Sequence, residues 1–186
     1  VAHFYYSDPH FGHKLVVTHR PFESVEEMDA ELVRRYNAVV KPEDVVYWLG
    51  DVSFHPTDKS AELIGSLHGH KILCLGNHDR SAAAMSRMGF SMVVREAVTH
   101  ICGRTVRMSH FPPKEYYDPR YKHAAERHKD LRPLMHKGEW LLHGHTHGTE
   151  RIRGRYVHVG VDAWDFTPVS VPEIEALIGS SRLENV

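Results

Sequence analysis

The chain has little cysteine and no long apolar run. Cys74 and Cys102 are the only cysteines in 186 residues, and each sits in an apolar or strand-like stretch. A disulfide framework and a cysteine-rich zinc site are therefore both excluded, and a reducing compartment, the cytoplasm, is expected. No apolar run approaches 18 residues, and the opening Val-Ala-His-Phe-Tyr-Tyr-Ser-Asp has neither a basic n-region nor an h-region, so no membrane span or signal peptide is expected. An excess charge of one sign is also missing. Lys plus Arg (23) against Asp plus Glu (24) leaves a formal charge of -1, which excludes a whole-molecule basic footprint for duplex nucleic acid. Internal repeats and low-complexity linkers are absent too, so one folded domain over residues 1–186 is expected. What the chain has in plenty is histidine, 17 residues in an otherwise ordinary composition.

Short apolar runs alternate with longer amphipathic stretches, an α/β pattern. Strands are expected at 2–7, 44–49, 71–75 and 139–143, with a β-rich meander over 92–101 and 104–109 and a further pair at 150–153 and 155–161. Ser24-Val-Glu-Glu27 is a capping box that opens a helix running to about Val40, before Pro42. Further helices are expected at 58–67, 81–88 and after Ser170 and Pro172. Segment 111–138 fits none of these patterns. It interleaves Tyr116, Tyr117 and Tyr121 with charges, and between Pro112 and Lys137 seven Lys or Arg face four Asp or Glu. A long excursion of this kind is either a solvated surface or part of a site.

Polar clusters fall where apolar strands end: Asp8-Pro9-His10, Gly50-Asp51, Gly76-Asn77-His78-Asp79, Ser109-His110 and Gly144-His145-Thr146-His147. Taken singly, each is ordinary turn chemistry. Taken together, they are a mixed oxygen and nitrogen donor set without thiolate, suited to Mn, Fe, Zn, Ni or Co. The ends of parallel strands are also where open α/β sheets place their sites.

The ordered set Asp-x-His, Gly-Asp, Gly-Asn-His-Asp, a later His and Gly-His-x-His resembles the calcineurin-like metallophosphoesterases, in their small, compact bacterial and phage-type branch. The flanks Ser7-Asp8-Pro9-His10-Phe11-Gly12-His13 and Val159-Gly160-Val161-Asp162-Ala163-Trp164-Asp165-Phe166-Thr167-Pro168-Val169 are similar to that branch as well. The resemblance implies a four-layer sandwich, two packed β-sheets flanked by helices, with a dinuclear metal site at one edge. It implies that Asp8, His10, Asp51 and His147 hold one divalent ion, and that Asp51 bridges to a second held by Asn77, His110 and His145, with manganese the expected metal. His78 would face the substrate as general acid, with Asp79 orienting it or raising its pKa, during attack by a metal-bridging hydroxide.

The expected substrates are small phosphodiesters, either cyclic nucleotides, including 2′,3′-cyclic forms, or short single-stranded nucleic acid. His13, Asn77, Tyr116 and Arg120 are the candidate substrate contacts, and His143 and Asp162 are candidate supports behind the ligands. Where Ser/Thr protein phosphatases carry Gly-Asp-x-Val-Asp-Arg-Gly, this chain reads Gly50-Asp51-Val52-Ser53-Phe54, which argues against a phosphoprotein substrate. Two other readings stay open: a phosphomonoesterase, and a metal- or phosphate-binding or scaffolding module without turnover. Oligomeric state is not legible in the sequence.

Overall fold

A computed structural model of the chain describes residues 1–117, 123 and 126–180. Two five-stranded sheets pack face to face. The first contains β1 (His3–Tyr6), β2 (Val45–Trp48), β3 (His70–Cys74), β4 (Met92–Val94) and β10 (Val169–Ser170), in the order β10-β1-β2-β3-β4. Strands β1 to β4 run parallel, and β10 closes the edge antiparallel to β1. The second contains β5 (Glu96–Ile101), β6 (Arg104–Ser109), β7 (Trp140–His143), β8 (Ile152–Arg153) and β9 (Tyr156–His158), in the order β5-β6-β7-β9-β8. Here β6, β7 and β9 are parallel.

The alternation of side chains along a strand explains the two cores. Phe4 and Tyr6 of β1 and Val46 and Trp48 of β2 point to one face of the first sheet. There they meet α2 (Val25–Val39), α3 (Thr57–Gly65) and α4 (Ala82–Arg87) through Met28, Leu32, Tyr36, Ile64 and Met85. Tyr5, Leu49 and Cys74 point the other way and pack between the sheets against Val106, Met108, Trp140, Leu142 and Val157. Helix α5 (Val171–Ser180) adds Ile174 and Ile178 to this second core. A four-residue helix, α1 (Lys14–Val17), follows the first cluster of polar residues.

Ser24 caps α2 as the sequence suggests. Its Oγ accepts from the Glu27 amide at 3.1 Å, and the Glu27 carboxylate accepts from the Glu23 amide rather than from that of Ser24. The meander expected over 92–109 is two things. Met92–Val94 pairs with β3 in the first sheet, and Glu96–Ile101 forms a hairpin with β6 in the second. Alternation specifies faces and not sheets, so the crossing at Arg95 leaves no periodic signal. The expected strand 155–161 is shorter, because Gly160 bridges to Ser7 and the Val161 amide bonds the Ser7 carbonyl at 3.0 Å. Of the 111–138 excursion, the described part includes single turns at Lys114–Tyr116 and Lys129–Leu131. Among the described residues no helix is long and apolar enough to cross a membrane.

Candidate metal centre

The C-terminal ends of β1, β2 and β3 in one sheet, and of β6 and β7 in the other, deliver the five polar clusters to a common rim. Hydrogen bonds within each sheet and between the two tie these ends together. The Asp8 amide donates to Gly50 O (3.1 Å), the Gly144 amide to His110 O (3.1 Å), and the His145 amide to Asp8 Oδ2 (2.9 Å). The loops approach so closely that several positions have no room for a side chain, Gly50, Gly76 and Gly144 among them. A Cβ on Gly144 would run into the side chains of Ser7 and Asp8, and one on Gly76 into the Asp51 carboxylate.

Two groups of donor atoms result, Asp8 with His10 and His147, and Asp51 with His110 and His145. In the first, His10 Nε2 lies 3.0 Å from His147 Nε2, and both are 3.8 Å from Asp8 Oδ1. In the second, His110 Nε2 lies 3.2 Å from His145 Nδ1, 3.2 Å from Asn77 Oδ1 and 3.4 Å from Asp51 Oδ2. Asp51 Oδ2 is also 3.6 Å from His10 Nε2, so this one oxygen stands between the two groups.

Each carboxylate is tethered by the protein and presents an oxygen to the cluster, Asp8 Oδ1 while also accepting a longer 3.2 Å bond from the His145 amide. Asp8 Oδ2 accepts from Ser7 Oγ and the His145 amide, and Asp51 Oδ1 accepts from the His78 amide. His110 hydrogen-bonds Leu49 O through Nδ1 (2.6 Å), which turns Nε2 to the cluster. The backbone that holds these side chains is strained. Asp8, His10, Asp51, His145 and His147 all adopt φ between +50° and +69°, a region costly for residues other than glycine and concentrated at functional sites.

The donor set fits divalent ions. Donors about 2.1 Å from a metal lie about 3.0 Å apart in an octahedron and about 3.4 Å apart in a tetrahedron, close to the separations in the second group and to the His10–His147 distance in the first, where Asp8 Oδ1 stands farther off at 3.8 Å. The electrostatics agree. Burial alone would raise the Asp8 and Asp51 carboxyls, but neighbouring histidines hold both below the usual carboxylate range. Burial opposes the charged form of His110, yet Asp51 and Asp8 raise its pKa to about 9. Burial likewise opposes charging of His147, and Asp162 with Asp8 overcomes it. His145 goes the other way, lowered to about 3 by burial and by His110. The buried carboxylates thus attract positive charge, which protons on histidine supply in part.

The site also contains residues that sequence reasoning did not single out. Arg20, buried, clamps Asp162 through two hydrogen bonds (2.8 and 2.9 Å) and donates to the carbonyls of Asp8 and Pro9 (2.8 Å each). Asp162 in turn lies 3.3 Å from His147 Nδ1, so it orients that ring from behind. Asp29 accepts from the Gly12 amide (3.0 Å) and pairs with His55 (2.5 Å) directly beneath Gly12, fixing the loop that follows His10. Neither Arg20 nor His55 stands in a motif, and their partners are distant in sequence, so no local signal marks them.

The candidate catalytic and substrate residues are placed as follows. His78 is exposed at the rim, its ring 5.1 Å from Phe54 and 5.8 Å from His10. Asp79, the next residue, is held by backbone amides. Its two oxygens accept from the amides of Asp51, Val52 and Gly76 at 2.8 to 3.0 Å, which locks two loops together. His13 caps α1 through Nδ1 and packs its ring on Phe54 at 4.0 Å. Tyr116 lies under Arg153 and against the ring of His143 at 4.9 Å. His143 is fully buried behind the cluster and bonds Gly144 O, and burial with the neighbouring His158 lowers its pKa to about 3. Arg120 and Tyr121 lie outside the described residues.

No protein-family model matches the chain. The Gene 66 protein of Mycobacterium phage L5 is 34% identical over 182 residues, covering 85% of each chain. Among solved structures, the protein of unknown function AQ665 from Aquifex aeolicus is 27% identical with a TM-score of 0.71, over 95% of this chain and 98% of that one. The E. coli phosphoesterase YfcE matches at 18% identity and a TM-score of 0.40, over 86% of this chain and 78% of its own, too distant to carry an argument.

Proposed function

This chain belongs to the family of the Gene 66 protein of mycobacteriophage L5, and we propose that it is a metal-dependent phosphodiesterase acting on small diesters such as cyclic nucleotides or short single strands. The observation that carries the reading is Asp51 Oδ2, shared between two converging groups of carboxylate and imidazole donors. Asp8, His10 and His147 would hold one divalent ion and Asn77, His110 and His145 a second, with Asp51 common to both and manganese the expected metal. Such a pair supplies the positive charge that draws in a phosphoryl group and activates water for in-line displacement.

The chain's own residues do the rest. Ser7, Leu49 O and the His145 and His78 amides fix the carboxylates and His110, so that their free donor atoms converge before any ligand arrives. Arg20 and Asp162 hold His147, and Asp79 fastens the Asp51 loop to the Gly76 loop. His78, exposed beside His10, would give a proton to the departing ester oxygen. His13 and Phe54 form the rim beside it.

The test is hydrolysis of bis(p-nitrophenyl) phosphate by chelator-stripped protein with and without Mn²⁺. Turnover that appears only with the metal supports the reading. Absence of turnover with Mn²⁺ and with the other divalent ions, in protein that binds them, would leave a binding module instead.

A further inference from the structure

The segment Ser53-Phe54-His55 reverses the usual order of burial. Its two polar residues are inside, Ser53 8% and His55 9% exposed, while the phenylalanine between them is 40% exposed. Bonds on both sides fix this arrangement. The Phe54 amide donates to Phe11 O (2.8 Å), Ser53 Oγ meets Ser60 Oγ (2.9 Å), His55 pairs with Asp29 (2.5 Å), and Arg80 donates to His55 O (2.5 Å). Phe54 is thus held out at the rim by its neighbours and is not stranded on a loose loop.

Three histidine rings stand around it. His13 meets it edge-on at 4.0 Å and 87°, and is itself fixed, its Nδ1 accepting from the amides of Leu15 and Val16 (3.2 and 3.1 Å). His10 lies 5.5 Å away and within 26° of parallel, and His78 lies 5.1 Å away, tilted by 48°. Of the three, His78 has the fewest other supports. Its amide is bonded to Asp51 Oδ1, but among the described residues no hydrogen bond reaches its imidazole. The two oxygens of the adjacent Asp79 accept from backbone amides. Ring contact is what remains, with Phe54 and, farther off at 5.8 Å, with His10. A proton donor contributes only when it is aimed at the oxygen it serves, and an exposed imidazole visits several rotamers unless a neighbour bounds it.

We propose that Phe54 is the positioning residue of the proton donor: its ring, braced by His13, bounds the His78 imidazole beside the first donor group. The inference rests on the phosphodiesterase reading, and its test separates the two. Methyl p-nitrophenyl phosphate and methyl phenyl phosphate have the same retained arm and leaving groups of similar shape, but phenoxide is the more basic and gains more from a proton. Phe54→Ala is expected to lower kcat/KM by about tenfold or more on the phenyl ester, with a much smaller loss on the nitrophenyl ester and both ions kept. Phe54→Tyr, which keeps the ring, is expected to keep the wild-type ratio of the two rates. In a His78→Ala background, Phe54→Ala is expected to add little on the phenyl ester, because the two residues act as one unit.

Equal losses on the two esters would overturn the proposal, since a wall for the leaving arm or a merely structural part would give that result. Full additivity with His78→Ala, loss of an ion from Phe54→Ala, or a wild type that releases p-nitrophenol but no phenol would overturn it as well. A reading without turnover comes from the imidazole proton shifts of His78 in Zn²⁺-loaded protein, followed by NMR. Phe54→Leu is expected to move them while those of His143 stay in place, and unmoved His78 shifts overturn the positioning role whether or not the esters are hydrolysed. A wild type that hydrolyses neither ester overturns the phosphodiesterase reading itself, and the proton-transfer role with it, whatever the shifts.

Discussion

Asp8, His10, Asp51, His145 and His147 hang from left-handed backbone, and the strain is repaid only if the side chains they aim have something to hold. Asp51→Ala removes the oxygen shared by the two donor groups, and we expect it to lose at least one ion and essentially all turnover, by metal analysis after dialysis and by rate. His78→Ala is expected to keep both ions and to lose about 10² to 10⁴-fold in rate on alkyl esters, with a much smaller loss on aryl esters whose leaving group needs no proton. Equal losses on both would remove His78 from the proton transfer. Asp162→Asn should weaken metal binding by about 10- to 100-fold through His147, without contact to the ion. The donors themselves were legible in the sequence, because each stands in a short motif at a strand end. Arg20 and His55 were not, because an arginine before a proline and a lone histidine acquire meaning only from Asp162 and Asp29, far away in the chain. Asp79 was legible as a member of the site, but its bonds to the Asp51, Val52 and Gly76 amides were not, since backbone partners leave no mark in side-chain spacing.

The elements are simpler than the site they carry. Strands β1, β2 and β3 are buried on both faces and read as short continuous apolar runs, which is why they could be located, while the change of sheet at Arg95 could not. The two-residue strand β10 was missed for want of length, as was α1, a single turn capped by His13. Helix α2 is attached through Met28, Leu32 and Tyr36, all on one face and fully buried against the first sheet. Leu32→Ala should therefore cost about 2 to 5 kcal/mol in denaturant unfolding, with metal content per folded molecule unchanged. Asp79→Ala acts differently. It strips the acceptor from three amides in two loops, and the expected outcome is a larger loss of metal affinity than of global stability.

At the scale of the molecule, each sheet contributes part of the centre, so metal binding couples the two layers. Ions that bind only the folded chain stabilise it by mass action, and chelation should lower the melting temperature. The metal-free protein should also respond to pH in a defined direction. His110, raised from about 6.5 to about 9 in the fold, contributes stability that is fully present below about pH 6.5 and is lost as pH climbs through 9. His147, also raised, adds a contribution of the same sign. Chelated protein is thus expected to lose stability between about pH 6.5 and 9, a loss that bound metal offsets by taking the place of the protons. Metal uptake at neutral pH should accordingly release protons into a weakly buffered solution.

The most direct measurement is the rate of aryl diester hydrolysis as Mn²⁺ is added in known equivalents to chelator-stripped protein. If two donor groups sharing Asp51 form one hydrolytic centre, activity should rise with metal and level off at two equivalents per chain. Levelling at one equivalent, or no turnover at any loading, would contradict it.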